Sequence, residues 1–210
     1  MNEVIRIGQV SASQGTKVSG SFLVAERPAH PIELPLSIIN GSRDGPVVLI
    51  TAGTHATEYV GIASALNIIR TVNPKEVSGA LLIVPIINSL GYECRTKDTI
   101  PVEDDYNGTQ NLSRLYPGNL DGSLPHIIAN KIFNELVLRS QYLIDLHGGD
   151  MYEYIIPLTA IYTSGTSEID DKLDSMARAT ELDYCFRQPL GRDSIGLTKE
   201  CARRGIPMIV

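Results

Sequence analysis

No stretch of 18 apolar residues occurs in this 210-residue chain, so the sequence offers no candidate membrane-spanning helix and no membrane role is expected. Its longest apolar runs, such as ALLIVPII at 80–87, are the length of strands. Cysteine is scarce as well. Cys94, Cys185 and Cys201 lie far apart, form no CxxC pair and leave an odd count. That argues against a disulfide framework and makes a reducing, cytoplasmic compartment the expected setting. Nor do basic residues predominate: 18 Lys and Arg stand against 24 Asp and Glu, for a formal net charge of −6. A nucleic-acid partner demands basic surface, so none is expected. The N-terminal MNEVIRIGQV lacks the charged and then apolar layout of a signal peptide. There is no internal repeat and no low-complexity tract.

What the chain does have is enough apolar residue, 43%, for one substantial core. Residues 1–40 contain short β-like segments, VIRIGQV, VSGSFLV and LPLSIIN, separated by Ser, Gly and Pro. They read as a small N-terminal β element ending in the turn NGSRDGP, ahead of a main domain at 41–210. There the pattern becomes one of alternation. VVLITA (47–52) is strand-like, and Ile62, Ala65, Leu66 and Ile69 recur at helical spacing within 58–71. ALLIVPII is a second strand, and LPHIIANKIFNELVLRS (124–140) a second helix. Strands follow at 142–146 and 155–163, helices at 167–182 and 194–204, and a last strand at 206–210. The expected fold is α/β, a mainly parallel mixed sheet covered by helices on both faces. Such sheets bind ligands beyond the carboxyl ends of their strands. The polar segment 88–123 is too long to be an idle connection and lies at that edge.

Chemistry-bearing residues collect at the same edge. In TAGTHATEYV (51–60), His55 and Glu58 follow the 47–52 strand, three residues apart. On a first helical turn that spacing puts imidazole and carboxylate on one face, able to share an ion. Gly53 permits the sharp turn before them. The pair also has a structural reading, a loop histidine and a glutamate that stabilises a helix N-terminus. A third residue weighs against that reading. IDLHGG (144–149) places His147 at the end of another strand, whereas His30 lies in a Pro-rich region and His126 at a helix start. Two His and one Glu leave a fourth tetrahedral position for water, the arrangement of a catalytic zinc. Asp145, two residues before His147, points to the same side of the strand. It could orient the imidazole from behind or simply accept backbone hydrogen bonds. Within 88–123, Arg95 and Arg114 are each suited to carboxylates and to a developing oxyanion, though loop arginines are usually solvated.

Taken in order, GTHATE, NSLGYECR, NLSRLYPG and DLHGG resemble the succinylglutamate desuccinylase/aspartoacylase family, a branch of the zinc carboxypeptidase-like fold. Family members show GxHGxE, a strand ending in PxxNPxxF, then R, DLNRxFPG and DLH. The resemblance spans about residues 34–210. It implies one Zn2+ per chain held by His55, Glu58 and His147, with Arg95 polarising the scissile carbonyl and Arg114 gripping a substrate carboxylate. Ala56 stands where the family has Gly, and Asn111 and Ser113 replace Asp and Asn in the substrate-binding loop. The implied reaction is hydrolysis of an amide, with removal of an acyl group from an N-acyl amino acid or related small amine. A carboxypeptidase-like peptidase and a non-catalytic metal- or ligand-binding domain are the alternatives. The family's general-base glutamate follows a strand of the type GIPAITVE. Here GIPMIV ends at Val210, so the base and the C-terminal β domain are expected beyond that point. Family members are often dimers or larger, which makes a homo-oligomer consistent with the resemblance.

Overall fold

The computed structural model describes residues 3–28, 30–98 and 111–210. Strands β1 (Val4–Ile7) and β2 (Val10–Ser13) form a separate two-stranded antiparallel sheet. The remaining strands are β3 (Thr16–Ala25), β4 (Ile32–Asn40), β5 (Arg43–Ala52), β6 (Ser78–Val84), β7 (Tyr142–Leu146), β8 (Thr159–Thr163), β9 (Cys185–Pro189) and β10 (Met208–Ile209). They build one eight-stranded sheet in the order β3-β4-β6-β5-β7-β10-β8-β9. β5 runs parallel to β6 and β7, β10 parallel to β7, and β9 parallel to β8. β3 with β4, β4 with β6, and β10 with β8 pair antiparallel. The mainly parallel mixed sheet expected from the alternating pattern is therefore present. Residues 16–40 form one of its edges, while the separate small sheet is confined to residues 4–13.

Side chains alternate across a strand, and here the alternation sorts the core into two layers. Leu49, Leu82, Leu143 and Met208 point to one face, where they pack with Ile128, Ile132 and Phe133 of α4 (Leu124–Glu135) and Leu197 and Cys201 of α6 (Leu197–Arg203). Their neighbours Ile50 and Ile83 point to the other face, against Ala65 and Ile68 of α1 (Tyr59–Thr71). Ile209 joins Leu173 of α5 (Ser167–Ala179) on that same side. Each fully buried Leu, Ile or Phe contributes roughly 1.5–3 kcal/mol of burial. Among the described residues, no helix is long and apolar enough to cross a membrane.

Several boundaries differ from the sequence expectation. The helix expected over 124–140 stops at Glu135, because Leu136 adopts φ −122°, ψ −55° and a 3-10 turn follows at Val137–Arg139. Leu136 and Val137 are both fully buried, so the chain leaves α4 while still packed in the core. β8 starts at Thr159 rather than 155, since Ile155 and Ile156 are exposed. β9 is an additional strand, and all five of its residues are exposed. The long polar connection contains two short helices, α2 (Ser89–Cys94) and α3 (Leu112–Leu115). Asn88 and Asn111 cap them, with side chains accepting from Gly91 N and Ser113 N.

One close approach decides how α1 sits on the sheet. A Cβ on Gly61 would lie 2.5 Å from the Leu146 carbonyl oxygen of β7. Gly61→Ala should therefore push α1 away from β7 and destabilise the protein by about 1–3 kcal/mol. Thermal unfolding should show Tm lowered by roughly 2–12 °C. An unchanged Tm would mean that this contact yields without cost.

Candidate metal centre

β5 and β7 are parallel neighbours in a register that sets Thr51 opposite Asp145 and Ala52 opposite Leu146. Both strands therefore reach the same edge of the sheet at the same level. Past β5 the chain turns at Gly53, whose φ of +64° favours glycine. His55 and Glu58 follow. They lie in the turn ahead of α1, closed by a Glu58 N–H to His55 C=O bond of 3.2 Å, and Glu58 stands at the N-cap position without a side-chain capping hydrogen bond. The shared face expected from a helical turn thus arises from a tight turn before the helix. Past β7 comes His147, and the Gly148 N–H donates to Glu58 Oε2 at 3.0 Å.

Three side chains converge between these ends. His55 Nδ1 lies 2.8 Å from Glu58 Oε1, and His147 Nδ1 lies 2.8 Å from Glu58 Oε2. One ligand atom from each of the three residues falls within 4.8 Å of the others. Behind them, Asp145 Oδ2 meets His147 Nε2 at 3.0 Å, while Asp145 Oδ1 accepts from Thr51 Oγ1 at 2.7 Å and from Thr54 Oγ1 at 3.3 Å. The carboxylate is thereby held from two strands, and the far nitrogen of His147 is engaged so that Nδ1 faces the cluster. Thr51 and Thr54 carried no sequence signal beyond their place beside the motif.

The electrostatics follow from packing two carboxylates against two imidazoles out of water. Burial alone would raise the Glu58 carboxyl, but the hydrogen bonds and positive charge of His147 and His55 pull it down to about 2. Burial would likewise lower the His147 imidazole, yet Asp145 and then Glu58 push it up to about 10. Asp145 is drawn below the usual carboxylate range by His147 despite its own burial. The buried carboxylates need cationic or hydrogen-bonding partners, and in this structure the imidazoles supply them. A proton and a metal ion compete for the same lone pairs. Two imidazole nitrogens and a carboxylate fit a zinc ion with an open position. Cys94 and Cys185 are exposed and Cys201 is buried in the apolar core, apart from this cluster.

The other expected residues are placed less uniformly. Asn111 Oδ1 approaches His55 Nε2 at 3.3 Å and also accepts from Ser113 Oγ at 2.6 Å. Ser113 and Arg114 line a cavity of about 380 Å3 that also reaches Asp145 and His147. Arg95 is outside that lining. It is exposed, with φ 56° and ψ 40°, at the C-terminal end of α2. Its segment is nevertheless tied to the metal-site turn, because the Ala56 N–H donates to Lys97 C=O at 3.1 Å. Glu200, an acid near the last strand, is occupied with Arg203 and Arg204. His126 accounts for itself locally through Ser123 Oγ at 2.8 Å.

Comparison with known proteins bears on the family and the fold. The profile of the succinylglutamate desuccinylase/aspartoacylase catalytic domain matches residues 44–193. An N-alpha-acetyl-L-2,4-diaminobutyric acid deacetylase of Halomonas elongata is 30% identical over 158 residues, covering 75% of this chain and 42% of that protein. The crystal structure of an aspartoacylase family protein from Mesorhizobium loti superposes with a TM-score of 0.78 at 25% identity, over 92% of this chain and 60% of that one. The product-bound ectoine utilization protein EutE (DoeB) from Ruegeria pomeroyi gives a TM-score of 0.81 at 21% identity, over 100% of this chain and 62% of that one. The chain spans less than two thirds of the length of each of these relatives. With the profile running through both strand ends that carry His55, Glu58 and His147, the chain belongs to the succinylglutamate desuccinylase/aspartoacylase family.

Proposed function

We propose that this chain carries the metal centre of a zinc-dependent amidohydrolase that removes an acyl group from an N-acyl amino acid or a related amine. The observation that carries the reading is the convergence of His55, Glu58 and His147 at two adjacent strand ends, beside a cavity that Arg114 enters. A bound zinc ion supplies an acidified water and a Lewis acid for the amide carbonyl. The residues of the chain do the rest. His55 and His147 present Nδ1, and Glu58 presents its carboxylate. Asp145 holds His147 in the orientation and tautomer that leave Nδ1 available. Arg114 is assigned the substrate carboxylate, for which its planar fork is suited. Asn111 and Ser113 support that loop through their mutual hydrogen bond. Arg95 is assigned the carbonyl oxygen, on the family pattern and on its tether beside the His55 turn.

Deacylation is favoured over peptide cleavage by the family match and by the deacetylase among the relatives. A panel of N-acyl amino acids and short peptides, assayed with zinc, separates the two. Turnover of peptides alone would replace the deacylase reading with a peptidase.

Three outcomes are expected. Dialysed protein should retain about one zinc per chain by elemental analysis, and His147→Ala should lose it; full retention by the variant would exclude His147 as a ligand. Asp145→Asn should weaken zinc affinity by about 10–100-fold while leaving the fold intact, as loss of an imidazole-orienting carboxylate does. Chelator competition measures it, and an unaltered affinity would reduce Asp145 to a strand-end acceptor. In an active, complete enzyme that includes the general base, Arg114→Ala should lower kcat/KM on N-acyl amino acids at least about tenfold, the loss of one charge-assisted pair. Kinetics unchanged from the parent would return Arg114 to the solvent.

A further inference from the structure

Both histidines of the cluster turn Nδ1 toward Glu58, and the opposite nitrogen of each ring meets a side-chain oxygen. Behind His147 stands Asp145 Oδ2, 3.0 Å from Nε2. Behind His55 stands Asn111 Oδ1, 3.3 Å from Nε2. The second contact joins residues 56 positions apart and links the metal-site turn to the segment that carries Arg114.

The atom that faces His55 is fixed by its other partners. Asn111 Oδ1 accepts from the Ser113 N–H at 3.1 Å and from the Ser113 hydroxyl at 2.6 Å. Both donors demand an acceptor, so the amide presents its oxygen there and not its nitrogen. The place of that oxygen is fixed too. Asn111 caps α3, its backbone C=O accepts from the Arg114 N–H at 3.1 Å, and the adjoining Leu112 is buried in the main core. Across the contact, the His55 side chain is only 14% exposed, and Glu58 Oε1 lies 2.8 Å from its Nδ1. An imidazole that gives Nδ1 to a metal carries its proton on Nε2. A hydrogen bond from that N–H sets the tautomer and the plane of the ring.

We infer that Asn111 is a positioning residue of the metal centre, which orients His55 through Nε2 and ties the turn bearing Arg114 to the metal. The inference rests on the reading of His55 as a metal ligand and adds the group that holds it. Capping of α3 alone does not call for this side chain. Serine caps a helix about as well as asparagine, but its oxygen stands one atom nearer the backbone and stops short of the ring. The two supports are also unequal. Asp145 is a carboxylate held by Thr51 and Thr54, whereas Asn111 is a neutral amide whose oxygen is shared with Ser113. A neutral acceptor makes the weaker hydrogen bond, so His55 is the less firmly supported imidazole of the pair.

The test is zinc affinity by chelator competition, read beside the Tm of the metal-free proteins. Asn111→Ser keeps a capping oxygen and should weaken zinc binding about tenfold, with the metal-free Tm unchanged. Asn111→Asp, which keeps the oxygen in reach of the ring, should bind zinc at least as tightly as the parent. Ser113→Ala leaves the ring contact in place and should not weaken zinc. If Asn111→Ser also lowers the metal-free Tm, the same substitution in a His55→Ala background decides. With the imidazole gone, Asn111→Ser should cost no further zinc affinity. An equal tenfold loss in that background would overturn the inference. So would zinc held equally by parent and Asn111→Ser, or a tenfold loss in Ser113→Ala, which would trace the effect to order in the loop. A parent that binds no zinc would overturn the metal reading along with it, whereas a zinc-binding parent indifferent to Asn111 would overturn this inference alone.

Discussion

The parallel pairing of β5 with β7 is the constraint on which the rest of this structure depends. Because Thr51 stands opposite Asp145, the turn after one strand and the DLHGG segment after the other emerge side by side. Residues 89 positions apart in sequence, Glu58 and His147, then meet at 2.8 Å. The same pairing brings Thr51 Oγ1 within 2.7 Å of Asp145, so the group that orients His147 is itself held by the strand that leads to His55. A slip of one residue in this register would turn Asp145 to the opposite face and dissolve the cluster.

The site and the scaffold also share an energetic basis. Asp145 and Glu58 are both buried, and a buried carboxylate without a cationic or hydrogen-bonding partner costs several kcal/mol. Each imidazole therefore has a structural duty as well as a chemical one. The hydroxyls of Thr51 and Thr54 and the Gly148 N–H complete the satisfaction of these oxygens. Function in this fold is a polar cluster set into the rim of the core, and α1 covers one side of it at a distance that Gly61 permits.

Much of this was legible in the sequence, and for definable reasons. Apolar runs that stop abruptly at His-bearing motifs marked two strand ends, and the family pattern supplied the order of the motifs. The cluster geometry then depends only on which strands are neighbours. Other features left no local trace. β4 joins the main sheet through antiparallel pairing with β6, some forty residues away, a contact that composition cannot reveal. β9, CFRQP, is exposed at every position and shows neither alternation nor an apolar run. Thr51 and Thr54 look like any strand-end threonines until the register places Asp145 beside them. In each case the missing information is tertiary adjacency, which periodicity within a segment does not encode.

The central claim is that His55, Glu58 and His147 together bind a catalytic zinc, and X-ray absorption at the zinc edge tests it most directly. Protein loaded with one equivalent of zinc should give a first shell of nitrogen and oxygen at about 2.0–2.2 Å. Outer-shell scattering should correspond to two imidazoles, falling to one in His147→Ala. A sulfur shell at about 2.3 Å, or the same imidazole count in parent and variant, would contradict the account.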